Sequence, residues 1–308
     1  MNQKIINIIL CGGFGSRLWP LSRENFPKPL LPIFNGRSLL SLTLQRHKAF
    51  VNQTIIITNE AQVKNIQAEV AKYNIKNVDY IVEPLSKNTA SAITMAALAA
   101  TEGAYLIVTP SDHYIPTEAA YQSDIQVAIS QAETDHLFLF GIPPNGPSTE
   151  YGYIETTKTN NKCNNIESFH EKPTKDIAQN YIQQPNFFWN SGIFCFLRET
   201  FLNELEAINT ELLNQCKVAV NGIQLNGIPF EINQQHMESM KKISIDYALM
   251  EKSTKLRCIN ADFEWSDCGT FNQLTPFLNQ HDTNMVHSYV RLMASNANHN
   301  IVFGRHRP

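Results

Sequence analysis

Residues 11–28 read CGGFGSRLWPLSRENFPK and follow directly on the apolar run IINIIL. Gly12, Gly13 and Gly15 free the backbone to approach a ligand and to turn its N–H groups toward negative oxygens. Arg17 and Lys28 bring positive charge, and the stretch holds a single acid, Glu24. A loop that leaves the carboxyl end of a first parallel strand sits where open α/β sheets bind ligands, so this one reads as a phosphate loop. It is neither of the two common forms. Leu18 occupies the third glycine position of G-x-G-x-x-G, which counts against a nicotinamide-dependent oxidoreductase, and no Gly-Lys pair completes the Walker pattern. The plain alternative is a glycine turn carrying two solvated cations.

Two carboxylates extend this chemistry. Asp112 closes the apolar run YLIVTPSD, and Asp267 lies in FEWSDCGTF. A carboxylate at a strand's carboxyl end, facing a phosphate loop, is where a hard cation is held; Mg²⁺ takes one or two protein carboxylates beside phosphate oxygens and water. Either aspartate alone reads equally well as a turn or capping residue. His113 invites a zinc reading, but no His/Cys spacing supports one, and the residue is taken as structural.

The elements that must position these residues follow a βαβαβ rhythm. INIIL, QTIIITN, VDYIVEP, AYLIVTPSD and HLFLFGI read as strands. SLLSLTLQRHKAF, EAQVKNIQAEVAKYN, TASAITMAALAATE and AYQSDIQVAISQAET read as the helices between them. This predicts an α/β fold: a Rossmann-like, mostly parallel sheet with helices on both faces. From about residue 143 the chain turns rich in Pro, Gly and Asn, which predicts antiparallel strands and loops laid on the first sheet as a small lobe. KDIAQNYIQQ, RETFLNELEAINTELLNQCKVAV and SIDYALMEKS read as further helices, with Asp246 as a cap of the last. The final forty or so residues are weakly periodic and leave a small appended element or a loose tail open.

At 308 residues and 43% hydrophobic, the chain can bury a full core. A net charge of −3, with Lys and Arg dispersed, carries no basic stripe for nucleic acid. The six cysteines form no C-x-x-C pair and several lie in apolar runs, which suits a reducing compartment. The N-terminus fits neither a secretory leader nor a membrane span, so the expectation is a cytoplasmic protein with no membrane partner.

LCGGFGSRLWPLSRENFPKPLLPI resembles the signature of the sugar-1-phosphate nucleotidyltransferases, and Trp19 with LSREN makes it similar to the bacterial mannose-1-phosphate guanylyltransferase (GDP-mannose pyrophosphorylase) branch. The likeness runs over residues 4 to 275. It implies the nucleotide-diphospho-sugar transferase fold, GTP and mannose 1-phosphate as substrates, Mg²⁺ as cofactor, and GDP-mannose for surface polysaccharide or lipopolysaccharide. It also implies roles. Gly12, Gly13, Gly15 and Ser16 would wrap the triphosphate, Arg17 would hold the leaving pyrophosphate, and Lys28 would touch the phosphates. Glu83, Asn88 and Thr89, in VEPLSKNTASA, would lie by the nucleobase and nucleoside; Asn88 and Thr89 equally suit a helix N-cap. Asp112 and Asp267 match the family's metal-binding aspartates. YGYIE, FHEKP and WNSGIF place Gly152, Glu171 and Asn190 at the sugar, and Lys172 on the sugar phosphate. Asp246 could organise the sugar side as well as cap.

The expected organisation is a nucleotidyltransferase domain over 1–275, its nucleotide part about 1–142 and its sugar part about 143–275. A short C-terminal element over 276–308 follows, with no isomerase domain. Ser16 stands where the family often has Thr, and Lys87 where it often has Arg, which keeps the charge and loses the fork. A homo-oligomer is left open. Rival readings are another hexose or a heptose 1-phosphate, another base, or a catalytically silent GDP-mannose-binding regulatory subunit; the last would lack Arg17, Lys28, Asp112 or Asp267, all present here.

Overall fold

The computed structural model describes residues 4–131, 135–158, 161–281, 284–287 and 299–304. Strands β1 (Ile5–Cys11), β2 (Gln53–Asn59), β3 (Val78–Glu83) and β4 (Tyr105–Pro110) pair in parallel in the order β4-β1-β2-β3. Helices α1 (Leu39–His47), α2 (Val63–Ala71) and α3 (Thr89–Ala99) connect them. Because successive side chains in a strand face opposite ways, alternation sorts the apolar residues onto two cores. Ile6, Ile8, Ile55, Ile57 and Ile81 pack with α3 and α6 (Arg198–Ala219) on one face. Ile9, Cys11, Ile56 and Tyr80 pack with α1 and α2 on the other. The expected doubly covered sheet is present, and the run of alanines in α3 is buried beneath α6.

The second half of the chain differs from its expected placement. β5 (Leu137–Ile142) joins the sheet as expected, but β6 (Tyr153–Thr156), β7 (Cys163–His170), β8 (Phe187–Leu197) and β10 (Leu256–Asn260) do not lie on the first sheet; they continue it. β8 runs antiparallel to β4, β5 and β6, so β8, β6, β7, β10 and β5 form a closed circuit of pairings. β8 spans eleven residues, enough to pair β4 and β5 along its later half and β6 and β5 along its earlier half. Its long apolar run FFWNSGIFCFL thereby seals the parallel part to the antiparallel part. α4 (Glu118–Gln131) covers this region through Tyr121, Ile125 and Ala128. β9 (Phe230–Glu231) adds to the far edge beside β3.

Two helix readings are refined. α6 carries a kink at Asn209, whose backbone leaves the helical region. The SIDYALMEKS segment forms one widened, π-type turn over Asp246–Met250 after the short helix α7 (Gln234–Glu238). Near the C-terminus, α8 (Phe271–Leu274) precedes a small separate sheet of β11 (Asn279–His281), β12 (Asn284–Val286) and β13 (Ile301–Val302); of the 276–308 expectation, 282–283, 288–298 and 305–308 lie outside the described residues. All six cysteines are free thiols, five of them buried. Among the described residues no helix is long and apolar enough to cross a membrane.

Candidate active site

The glycine loop leaves β1 at Cys11, at the carboxyl end of the parallel sheet. Asn59, at the end of β2, donates to the Gly12 carbonyl at 3.2 Å, and Ser22 donates to the Gly15 carbonyl. A side chain on Gly12 or Gly13 would meet open space. Gly15 differs: its φ is +68°, and a Cβ there would collide with that of Lys28. Its glycine is therefore required by conformation and by the close passage of Lys28. Ser16 is exposed on the single turn Ser16–Leu18.

Lys28 is buried, and its ammonium reaches Asp112 Oδ2 at 2.7 Å and the backbone carbonyl of Asp267. Burial alone would raise the pKa of Asp112, but the charges of Lys28 and His113 and the Lys28 hydrogen bond outweigh it and hold the carboxyl below its ordinary value. Arg17 pairs with Glu150 and stands 4.0 Å from Asp267 Oδ2. The two aspartates, 155 positions apart in sequence, are brought together by an antiparallel bridge: Tyr114 N donates to Ser266 O at 2.8 Å and Ser266 N to Tyr114 O at 3.0 Å. His113 is not a free imidazole, because its Nδ1 accepts from Trp265 Nε1 at 3.1 Å, and burial pushes its pKa down to about 4. The donors gathered here are hard oxygens, and among the described residues no three or more His, Cys, Asp or Glu side chains are placed to hold a metal ion together. That set fits a cation completed by water and phosphate oxygens, and does not fit zinc.

Two cavities meet at this point. The first, about 340 Å³, is lined by Gly12, Gly13, Glu83, Ser86, Asn88, Thr89, Ser111 and Asp112. Glu83 ends β3 buried with Oε1 lacking any partner, and burial pushes its pKa up to about 8. Asn88, at φ +72°, caps α3 by accepting from Thr89 N at 2.8 Å, while Thr89 Oγ1 accepts from Ile245 N at 2.9 Å. Asn88 thus carries the capping role, Thr89 instead ties the start of α3 to the segment at Ile245, and both line the cavity. The second cavity, about 210 Å³, is lined by Gly152, Glu171, Asn190, Asp246, Asp267, Tyr151 and Trp265. Leu10, Thr89 and Pro110 border both. A larger cavity, about 840 Å³, lies elsewhere, bordered by residues of the 21–36 segment and by His287, Phe303 and Gly304, and holds none of the candidate residues.

On the second side the polar groups hold one another. Asn190 Nδ2 donates to Asp246 Oδ1 at 3.1 Å, and Asn190 Oδ1 accepts from Gly192 N at 3.1 Å. Lys172, in the left-handed region at φ +47°, pairs with Glu171. Partial burial opposes its charge, yet the Glu171 bond and the charges of Glu171 and Asp246 hold its pKa above the ordinary value. Gly152 leaves room for its neighbours: a Cβ there would lie 2.7 Å from Glu171 Oε2, the mobile end of that side chain, and 3.1 Å from the Phe169 ring. Asp246 is not the cap it was expected to be. Tyr247 N reaches Ser244 Oγ at 3.5 Å, while the Asp246 carboxyl turns to Asn190. Burial first and the Glu171 charge second push its pKa up to about 6. Lys87 points away, donating to the Glu238 carbonyl at 3.0 Å. Sequence reasoning passed over Tyr151, Trp265, Glu150 and Lys242, the last of which borders the first cavity and a neighbouring one beside Lys172. Their sole signal was adjacency to the motifs YGYIE and FEWSDCGTF, or to SIDYALMEKS.

The family model described as nucleotidyl transferase matches residues 6–283. The xanthan biosynthesis protein XanB of Xanthomonas campestris pv. campestris is 36% identical over 274 residues, covering 88% of this chain and 58% of that protein. A mannose-1-phosphate guanylyltransferase of Klebsiella pneumoniae is 34% identical over 282 residues, 88% of this chain and 59% of that protein. The chain thus spans under two thirds of these relatives. Among solved structures, one described as mannose-1-phosphate geranyltransferase from Thermus thermophilus superposes with a TM-score of 0.80 at 31% identity, covering 92% of this chain and 82% of that one.

Proposed function

The chain belongs to the nucleotidyl transferase family, and from that premise we propose that it transfers GMP from GTP to mannose 1-phosphate, releasing GDP-mannose and pyrophosphate. The observation that carries this reading is the meeting of two cavities at Leu10, Thr89 and Pro110, one walled by the glycine loop and the other by polar side chains, with Asp112 on the first and Asp267 on the second. A reaction joining two phosphates needs two subsites that open on one another and charge at their junction.

A phosphate oxygen of the sugar phosphate attacks the α-phosphorus of GTP in line; the new P–O bond forms as the bond to the β-phosphate oxygen breaks, and pyrophosphate leaves with that electron pair. The attacking phosphate is ionised at neutral pH, so no general base is required. Arg17 and Lys28 neutralise the leaving side, and Lys172 aligns the nucleophile. Asp112 and Asp267 are the residues that would hold Mg²⁺, which when bound would neutralise charge between the reacting phosphates. Glu83 is the residue we assign to the base: ionised on binding, its carboxyl would accept from the N1–H and 2-amino group of guanine, donors that adenine lacks in that arrangement. Glu171, Asn190 and Asp246 meet the sugar hydroxyls. The naming of the Klebsiella relative as a mannose-1-phosphate guanylyltransferase supports the sugar and base, and the naming of XanB supports supply of a polysaccharide pathway.

The test is pyrophosphate release by the purified chain with Mg²⁺, each of GTP, ATP, UTP, dTTP and CTP being offered against mannose, glucose and heptose 1-phosphates. Release with GTP and mannose 1-phosphate alone is expected. Release with a different pair would change the substrates, and GDP-mannose binding without turnover would replace the enzyme with a sensor.

A further inference from the structure

Tyr151 has no part in the chemistry above, yet its hydroxyl lies against one of the two junction carboxylates. It donates to Asp267 Oδ1 at 2.7 Å and accepts from Gln273 Nε2. The orientation of that amide is fixed, because Gln273 Oε1 accepts from Thr270 N at 2.7 Å and from Thr270 Oγ1 at 3.1 Å in the capping box that opens α8. With an N–H aimed at the phenol oxygen, the single phenol proton is left to Asp267. The ring is held edge-on by Trp189 and Trp265, at centroid distances of 5.0 and 5.2 Å. Trp265 in turn donates to His113, the neighbour of Asp112.

The backbone bridge between Tyr114 and Ser266 sets the two segments in register, and Gly269 N reaches Asp267 Oδ1 at 3.4 Å, a longer and weaker hold on the carboxylate than the Tyr151 hydroxyl. Among the described residues, Asp267 Oδ2 has one ion-pair contact, the 4.0 Å approach of Arg17. We propose that Tyr151 is a positioning residue: by donating to Oδ1 it fixes the Asp267 carboxylate so that Oδ2 is presented to a divalent cation beside Asp112. This rests on the reading of Asp112 and Asp267 as the cation's holders.

A merely structural tyrosine would influence stability and leave cation affinity alone, so the measurement is Mn²⁺ binding to the full chain, followed by electron paramagnetic resonance, for wild type, Tyr151→Phe, Asp267→Asn and the double variant. Phe keeps the ring packing, and a thermal melt verifies that the fold is retained. Loss of an outer partner of a metal ligand weakens affinity by about 10- to 100-fold. Tyr151→Phe is expected to fall in that range, and to add nothing once Asp267 is Asn. Wild-type affinity in Tyr151→Phe, or an equal further loss on the Asp267→Asn background, would overturn the proposal while leaving the cation site standing. Absent Mn²⁺ binding by the wild type, or unchanged affinity in Asp267→Asn, would instead remove the cation site and the proposal with it.

Discussion

On the side proposed for the nucleotide, Gly12 and Gly13 follow a parallel strand and leave open space where a side chain would stand, and the buried carboxyl of Glu83 has an oxygen with no partner. On the side proposed for the sugar the strands are antiparallel and the wall is made of side chains already bound to one another: Glu171 to Lys172, Asn190 to Asp246 and to Gly192 N. A ligand entering the first cavity adds hydrogen bonds, whereas one entering the second exchanges them. Since an exchanged bond contributes little net free energy and an orphaned buried group costs about 1–3 kcal/mol, binding strength should come mainly from the nucleotide side and selectivity among sugars from geometry on the other.

Lys28 belongs to both sides, and its replacement should break the comparison most completely. Lys28→Met leaves the Asp112 carboxyl without its ammonium and the Asp267 carbonyl without its donor. Losing a cation that neutralises transferring phosphates costs on the order of 10³-fold in kcat, and because the Asp112 side chain is 31% exposed, the stability lost stays below the roughly 3 kcal/mol of a fully buried pair. Both effects are expected together, in pyrophosphate-release kinetics and in urea denaturation. Turnover within tenfold of wild type would show that the two sides do not share this residue.

Glu83 isolates the nucleotide side. Glu83→Gln should lower the preference for GTP over ATP by about 10- to 100-fold, the usual worth of a bidentate base contact, and leave the sugar KM unchanged. Its titration provides a second reading. Burial raises the carboxyl from 4.5 to about 8 in the folded chain. On the proposed contact guanine takes the ionised form, so the KM for GTP should fall as pH rises toward and past 8. Stability runs the other way: between about 4.5 and 8 the folded chain keeps a proton that the unfolded chain has lost, so this contribution is full at low pH and declines as pH rises through that window. Gln should flatten both slopes. A pH-independent GTP KM in the wild type would take the base contact away from Glu83.

Asn190→Ala examines the other side. It removes a donor to Asp246 and an acceptor for Gly192 N, so a loss of about 1 kcal/mol of stability should accompany a higher KM for the sugar phosphate. The GTP KM should stay put.

The same contrast explains what the sequence made legible. The parallel half and its loop could be read because period-two apolar runs, Gly12, Gly13 and the charged Lys28 each act locally. The paired aspartates were legible as types but not as a pair: the Tyr114–Ser266 bridge that joins them is a long-range contact with no pattern of its own. Asp246 was misread as a cap because a carboxylate opening a short apolar helix is the common sign of one, and only the fold brings Asn190 within reach of it. Nothing local marks Tyr151 within YGYIE or Trp265 within FEWSDCGTF, and Gly152 is placed at the sugar by the resemblance alone. Their partners, Asp267, His113 and Glu171, lie on other strands and loops. The antiparallel strands were foreseen, yet their continuity with the first sheet depends on β8 pairing three neighbours, which no local periodicity encodes.

The finest test applies one substitution to both sides. A methyl group on Gly152 would stand 2.7 Å from Glu171 Oε2, so Gly152→Ala must push the carboxylate away from its place beside Lys172. The KM for mannose 1-phosphate should rise several-fold, with a melting shift of the size expected for a local overpacking of about 1 kcal/mol. On Gly12 the same methyl group meets nothing in the protein. Gly12→Ala should therefore leave stability within about 0.5 kcal/mol and act only where a nucleotide phosphate would come against the backbone, raising the GTP KM and not that of the sugar phosphate. If the two alanines raised the same KM, the cavities would not be separate subsites, and the division between a side that awaits its ligand's hydrogen bonds and a side that trades its own would have to be withdrawn.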